Sequence, residues 1–214
     1  MGGLGRTETK RAVLTEDGPF TLECGRALEH LEVSYETYGE LNAAGTNAVV
    51  ISHALTGDAH AAGHHGDPER RGWWDMMIGP GRPVDTDRFF VIASNLLGGC
   101  QGTTGPRSID PETGRRYGMD FPPITVGDLV ETQRALCSRL GVRRLHGAMG
   151  GSLGGMQVLH WQLAHPGEIE RAIITCATGA LSAQNIAFSS VARTAIVRDP
   201  KFQGGEYEDG DGPD

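Results

Sequence analysis

The fold class is decided by one stretch, Leu145-His146-Gly147-Ala148-Met149-Gly150-Gly151-Ser152-Leu153-Gly154-Gly155-Met156. Its centre is a G-x-S-x-G pattern, which is typical of a serine on a sharp turn between a strand and a helix. The glycines are needed there because the turn brings backbone segments too close together to admit a Cβ atom. The alternative is a glycine-rich loop with an incidental serine, since the chain holds 32 glycines.

The residues on either side of this pattern favour the turn. Residues 144–149 are suited to a short buried strand, and Met156, Leu159 and Leu163 recur as one apolar helical stripe. The predicted helix ends before Pro166. Strand, glycine turn and helix in this order predict a nucleophile elbow, with the serine exposed at the carboxyl end of the strand.

The composition excludes several classes of protein. The 214 residues carry a formal net charge of −8, with 38% hydrophobic and 21% charged residues, as in a globular domain. No basic run is present, which argues against nucleic acid as a partner. No apolar segment approaches the roughly 18 residues that cross a membrane. Residues 1–20 also lack the apolar core of an ordinary signal peptide.

The cysteine pattern bears on the cellular compartment. The four cysteines are widely spaced and include no C-x-x-C pair: Cys24, Cys100, Cys137 and Cys176. This spacing predicts reduced thiols rather than a disulfide framework. We therefore expect a cytoplasmic protein.

Strand and helix patterns alternate along the chain. Residues 20–23 and 28–38 are predicted to form an N-terminal antiparallel pair, and the apolar runs at 48–55 and 89–93 predict buried strands. A capping box formed by Thr125 and Asp128 predicts the start of a helix, and Gly141 its end. A strand at 172–176 and a helix at 182–198 follow.

This alternation predicts an α/β fold with a mostly parallel sheet and helices on both faces. No internal repeat or long linker divides the chain. We assign residues 1–203 to a partial core domain. Residues 204–214 are rich in Gly, Asp and Glu and are predicted to be a flexible acidic tail.

Four segments carry a more specific signal: His53-Ala54-Leu55-Thr56-Gly57-Asp58-Ala59-His60, Gly72-Trp73-Trp74-Asp75, Ser94-Asn95-Leu96-Leu97-Gly98-Gly99-Cys100 and Gly150-Gly151-Ser152-Leu153-Gly154-Gly155-Met156-Gln157. Through these segments the chain resembles the homoserine O-acyltransferases of methionine biosynthesis, a family of the α/β-hydrolase fold. Together they are far more specific than the serine motif alone.

The resemblance implies acyl transfer in two steps. Ser152 would attack the thioester of an acyl-coenzyme A and hold the acyl group as an ester, which the hydroxyl of L-homoserine would then take. The family pattern puts the oxyanion hole at the backbone N–H groups of Leu55 and Leu153, with Leu55 ending the predicted strand at 48–55. It also implies a homodimer with acyl-CoA as co-substrate, and neither a resident cofactor nor a metal ion.

The sequence departs from this family at the catalytic base. In α/β-hydrolases an Asp or Glu and then a His follow the serine. Here only His160 and His165 follow Ser152, and both lie on the predicted elbow helix. We therefore interpret the chain as an N-terminal fragment that stops before the lid, the final strands, and the family's base, acid and carboxylate-binding arginine. Expressed alone, it is expected to be inactive and poorly folded.

Three alternatives stay open from the sequence. The donor is acetyl-CoA or succinyl-CoA: residues 53–57 resemble the acetyl-CoA users, which we favour, whereas Leu153 and residues 182–185 occur also in succinyl-CoA users. A serine hydrolase of the same fold would use water as the acceptor. The missing base also allows a non-catalytic remnant or interaction module.

Three histidines after the first segment form a further candidate site. His60, His64 and His65, beside Asp67, could be grouped as metal ligands, but their spacing is unconvincing and no remote partner is evident. We interpret them as a solvated loop near the entrance of the site.

Overall fold

A computed structural model describes residues 3–208 and 210–213. Its strands are β1 (Lys10–Val13), β2 (Phe20–Thr21), β3 (Ala27–Leu28), β4 (Glu32–Tyr38), β5 (Ala48–Ser52), β6 (Ile78–Gly79), β7 (Val84–Asp85), β8 (Phe90–Ser94), β9 (Leu145–Gly151) and β10 (Ala172–Thr175). Its α-helices are α1 (Val126–Arg139), α2 (Leu153–Ala164) and α3 (Ala183–Arg198). Short 3₁₀ turns lie at Gly118–Asp120 and Pro200–Gly205.

Six strands form one sheet in the order β1-β4-β8-β5-β9-β10. The last four strands of that order run parallel, whereas β4 pairs antiparallel with both β1 and β8. The predicted α/β fold with a mostly parallel sheet is thereby confirmed. Because parallel strands end at the same edge, β5 and β9 finish side by side, with Ser52 opposite Gly150.

The N-terminal strand pairing differs from the prediction. Residues 20–23 were expected to pair with the strand that ends at Tyr38, but β2 pairs only with β3 in a separate two-stranded ribbon. The antiparallel partner of β4 is instead β1, a segment in which polar Lys10 and Arg11 precede Ala12 and Val13. Only the last two of these residues are apolar, so β1 lacks the long alternating pattern by which a half-buried strand is recognised.

Each face of the sheet carries its own apolar cluster. Helices α1 and α2 pack together on one face, where Val130, Leu136, Val158 and Trp161 contact sheet residues such as Val50. The segment between β5 and β7 covers part of the other face, with Ala61 and Ala62 of its loop and Ile78 of β6. The helical covering predicted for both faces is therefore seen on one face in the described part of the chain.

The ends of α1 follow the sequence prediction. The Thr125 hydroxyl accepts a hydrogen bond from the Asp128 N–H at 3.1 Å, and the Asp128 carboxylate accepts one from the Thr125 N–H at 2.9 Å. These reciprocal bonds satisfy two of the N–H groups that a helix start leaves without partners. Gly141 follows the helix with a φ of +82°, which a glycine adopts at little cost.

The side of helix α2 that packs against the sheet differs from the side that its apolar stripe predicts. Gly154, Val158 and Trp161 are buried, whereas Leu163 of the predicted stripe is 75% exposed. The cause is the close approach of the helix to β5 at Gly154. A residue with a Cβ atom would collide there with the carbonyl oxygen of Ser52. The hydrophobic stripe was therefore wrong as an indicator of the buried side.

Two elements near the end of the chain are exposed. Strand β10 forms one edge of the sheet, and every residue from Ala172 to Thr175 is exposed. Helix α3 is exposed along its whole length, with Phe188 67% and Val191 68% exposed. The flexible tail predicted from residue 204 includes Asp209 and Asp214, which lie outside the described residues, and it stays a prediction.

Candidate active site

The turn between β9 and α2 is the predicted nucleophile elbow. Ser152 separates the two elements, is exposed, and has φ 55° and ψ −122°. A positive φ is uncommon for a residue with a side chain, and it persists only where the surrounding structure imposes it. The strained backbone therefore supports a functional serine over an incidental one.

The glycines around Ser152 are required by distance. A Cβ on Gly150 would lie 2.3 Å from the carbonyl carbon of Gly154, and one on Gly154 would lie 1.9 Å from the carbonyl oxygen of Ser52. A Cβ on Gly155 would lie 2.7 Å from the Cβ of Ala177. The steric reason given for these glycines in the sequence analysis is confirmed.

The two backbone groups assigned to the oxyanion hole follow the ends of the neighbouring strands β5 and β9. Leu153 is the first residue of α2, and the N–H of a first helical residue has no acceptor within its own helix. Leu55 does not end its strand as predicted, because β5 stops at Ser52 and Leu55 lies in the following turn. Its side chain is 74% exposed, so any role in the site belongs to its backbone.

A buried chain of hydrogen bonds ties these two strand ends together. The Ser52 hydroxyl donates to Gln133 Oε1 at 3.1 Å, and Gln133 Nε2 donates to Gln157 Oε1 at 2.9 Å. Gln157 Nε2 in turn donates to the Leu153 carbonyl oxygen at 3.3 Å. The chain links β5, α1 and the start of α2, and sequence analysis missed it because polar residues on helices are ordinarily solvated.

We expect Gln157→Leu to lower the free energy of unfolding by about 1–3 kcal/mol, because it leaves the buried amide of Gln133 without its acceptor. Denaturant unfolding of the full-length protein measures this change. Gln162→Leu is the matched control, since Gln162 lies on the same helix and makes no side-chain hydrogen bond with the described residues. Equal unfolding midpoints for the two variants would show that the buried chain contributes nothing.

The hydroxyl of Ser152 has no hydrogen-bond partner among residues 3–208 and 210–213. His165 is engaged elsewhere, with its Nε2 2.6 Å from the Glu131 carboxylate. His53 lies just after β5, and its Nδ1 is 2.7 Å from the Ala54 carbonyl oxygen. Burial lowers the pKa of His53, which favours its neutral form. Neither histidine forms a hydrogen bond with the Ser152 hydroxyl.

The histidine loop has a partner that sequence analysis missed. Glu36, on β4, is 1% exposed, and its carboxylate lies 3.2 Å from Nδ1 of His60 and 2.7 Å from Nε2 of His65. The interpretation of a solvated loop was therefore wrong for His60. His64 and Asp67 take no part in the cluster. His64 Nδ1 accepts a hydrogen bond from the Gly66 N–H, and Asp67 Oδ2 lies 3.7 Å from Arg70 Nε.

With this geometry in place, the family can be assigned. The sequence profile of the α/β-hydrolase fold matches residues 47–213. The chain belongs to the α/β-hydrolase fold family. In that fold the serine nucleophile is carried by a turn between a strand and a helix, and Ser152 lies on such a turn.

More specific similarity is to homoserine O-acyltransferases. The chain is 58% identical over 207 residues to a homoserine O-succinyltransferase of Nocardioides sp., covering 96% of this chain and 56% of the relative. The crystal structure of homoserine O-acetyltransferase from Bacillus anthracis is 36% identical with a TM-score of 0.89, covering 96% of this chain and 56% of that one. The crystal structure of an esterase is 36% identical with a TM-score of 0.87, covering 96% of this chain and 57% of that one. The chain spans about half the length of the curated relatives it matches.

None of the helices in the described part of the chain is long and apolar enough to cross a membrane.

Proposed function

We propose that the full-length protein transfers an acyl group from acyl-coenzyme A to the side-chain hydroxyl of L-homoserine. The Ser152 hydroxyl attacks the thioester carbonyl, the carbon–sulfur bond breaks, and the coenzyme A thiol leaves. The homoserine hydroxyl then attacks the resulting ester, which forms O-acylhomoserine and returns the serine. The observation that carries this proposal is the strained, exposed Ser152 at the start of α2, in a chain 58% identical to a homoserine O-acyltransferase.

In this mechanism the backbone N–H groups of Leu55 and Leu153 bind the oxyanion that forms at each attack. Support comes from the side-by-side ends of β5 and β9 and from the first N–H of α2, which has no acceptor within its own helix. A serine hydroxyl also needs a neighbouring base to become a nucleophile. The full-length protein must supply that base next to Ser152, because the described residues offer no partner for its hydroxyl.

The acyl donor is the open part of the proposal. The sequence favours acetyl-CoA, whereas the curated relatives include both homoserine O-succinyltransferases and homoserine O-acetyltransferases. Both donors therefore belong in the test. The predicted cytoplasmic location, the homodimer and the lack of a further cofactor stay predictions.

Release of free thiol from acyl-CoA tests the proposed reaction. The full-length protein should release coenzyme A from acetyl-CoA or succinyl-CoA at a rate that depends on L-homoserine, with O-acylhomoserine as the product. Thiol release that is independent of homoserine would instead support a hydrolase. No thiol release with either donor would support the non-catalytic alternative.

The hydrolase is a second candidate because the fold and 36% of the matched residues are shared with an esterase. It uses the same serine and oxyanion hole, with water taking the acyl group from the ester. Cleavage of a short-chain ester at a higher rate than the acylation of homoserine would favour the hydrolase.

Leu153→Pro tests the oxyanion role of one backbone N–H. Proline lacks the N–H and is found at the first position of helices, but it also restricts the backbone of the preceding Ser152, which has φ 55° and ψ −122°. We therefore expect kcat to fall by at least about 10²–10³-fold. Leu153→Ala keeps the N–H and serves as the matched control. If the two variants have the same kcat and the same helix content by circular dichroism, the N–H of Leu153 has no such role.

A further inference from the structure

We propose that Glu36, His60 and His65 form a binding site for one divalent transition-metal ion, with Zn²⁺ as the ion that fits best. The three side chains each offer one ligand atom, and these atoms all lie within 4.8 Å of one another. The proposal is independent of the acyl transfer proposed for Ser152.

The chemistry of the three ligands selects the ion. Two imidazoles and one carboxylate are a common set for Zn²⁺ and related metals, whereas Ca²⁺ and Mg²⁺ prefer oxygen ligands alone. Four ligands at about 2.1 Å around Zn²⁺ lie about 3.4 Å from one another. Glu36 Oε2 lies 3.2 Å from His60 Nδ1, and Glu36 Oε1 lies 2.7 Å from His65 Nε2. Small side-chain shifts, somewhat larger for His65 than for His60, bring one carboxylate oxygen and the two nitrogens to the spacing that the ion needs.

Burial of the carboxylate is the second argument. Glu36 is 1% exposed, and no Lys or Arg among the described residues pairs with it. A buried carboxylate is costly unless a positive charge or a metal ion compensates it. A divalent ion between Glu36 and the two histidines would supply that compensation.

The cluster is also held in position by neighbouring groups. The Tyr38 hydroxyl oxygen accepts hydrogen bonds from the N–H groups of Ala61 and Ala62 at 2.9 and 3.1 Å, and the hydroxyl lies 2.9 Å from Glu36 Oε2. Tyr38 therefore fixes the loop after His60 and the carboxylate on β4 at the same time. Thr9 donates to the other carboxylate oxygen at 3.2 Å. Such outer contacts orient the ligands of metal sites and raise their affinity.

The location of the cluster points to a structural ion. Glu36 pairs with Ala93 of β8, Ala93 with Ile51 of β5, and Ile51 with Met149 of β9. Three strand spacings, about 14 Å, separate Glu36 from β9, the strand that ends just before Ser152. The ion would therefore fasten the loop from His60 to the sheet rather than act on the acyl group. The His65 side chain is 46% exposed, which leaves the ion a path from solvent and a position for water.

Zinc titration of the full-length protein, after removal of metal by chelation and gel filtration, tests the site. We expect one Zn²⁺ per chain by calorimetry and by elemental analysis, and a rise in melting temperature on binding. His65→Ala should weaken binding by at least 10–100-fold and abolish the rise in melting temperature. Its partly exposed side chain makes it a safer variant for folding than Glu36→Gln. His64→Ala is the matched control and should bind as the original protein does.

Binding of Co²⁺ separates this site from the exposed cysteines Cys24, Cys100 and Cys176. The proposed site gives a Co²⁺ spectrum without thiolate charge-transfer bands, and His65→Ala removes that spectrum. Absence of stoichiometric binding, or binding that His65→Ala leaves unchanged, would overturn the proposal and leave Glu36 hydrogen-bonded to two metal-free histidines.

Discussion

Replacement of Ser152 by alanine in the full-length protein is expected to lower acyl transfer by more than about a thousandfold. The change removes the only atom that can carry the acyl group in the proposed mechanism, so the two-step route is lost entirely. The fold should stay intact, because Ser152 is exposed and its hydroxyl makes no hydrogen bond with the described residues. Thiol release with saturating acyl-CoA and L-homoserine measures the loss.

Ser138→Ala is the matched control for this variant. Ser138 is exposed in the last turn of α1, so the same loss of a hydroxyl occurs away from the elbow. Its turnover should equal that of the original protein. If Ser152→Ala keeps more than about a thousandth of the original turnover with an unchanged melting temperature, Ser152 is not the nucleophile.

Gly154→Ala is expected to destabilise the protein by about 3 kcal/mol or more, at the upper end of the range for overpacked cores. The added methyl would lie 1.9 Å from the carbonyl oxygen of Ser52 and 2.9 Å from that of His53. Both are backbone atoms and cannot turn aside as a side chain can, so α2 must move away from β5. Because the Leu153 N–H moves with the helix, turnover should fall together with stability.

Gly5→Ala provides the control for the glycine substitution. A Cβ at Gly5 would meet nothing within 4 Å, and its φ is not in the left-handed region. We expect its unfolding free energy to stay within about 0.5 kcal/mol of the original. A Gly154→Ala protein as stable and as active as this control would show that the packing of α2 on β5 is looser than described.

The parts of the fold that follow local rules were predictable from the sequence. The elbow was recognised because its strand, glycine turn and helix follow one another directly, with Gly150 meeting Gly154 inside the turn, and α1 because its capping box lies within four residues. The buried side of α2 was not, since it depends on where Gly154 meets β5, a contact between residues about 100 positions apart. Strand β1 was missed for a similar reason: its place comes from pairing with β4, and its own sequence lacks a long alternating pattern.

The residues of the candidate site were likewise predictable only where they follow a local sequence pattern. Ser152 and Leu153 could be placed from the motif, whereas the end of β5 was set three residues too late and Leu55 falls in a turn. The cluster of Glu36 with His60 and His65 joins residues 24 and 29 positions apart through the loop after β5. The distance between these residues along the chain does not indicate such a contact. It arises from the order of the strands in the sheet, which the sequence does not specify locally.

The most direct measurement is mass spectrometry of the peptide that contains Ser152, after incubation of the full-length protein with acetyl-CoA or succinyl-CoA and no acceptor. We expect one acyl group on Ser152, and we expect L-homoserine to remove it and yield O-acylhomoserine. The donor that forms this adduct faster identifies the acyl group; a succinyl adduct without an acetyl one would overturn the acetyl preference. An unmodified Ser152 in a protein that still acylates homoserine would contradict the acyl-enzyme mechanism.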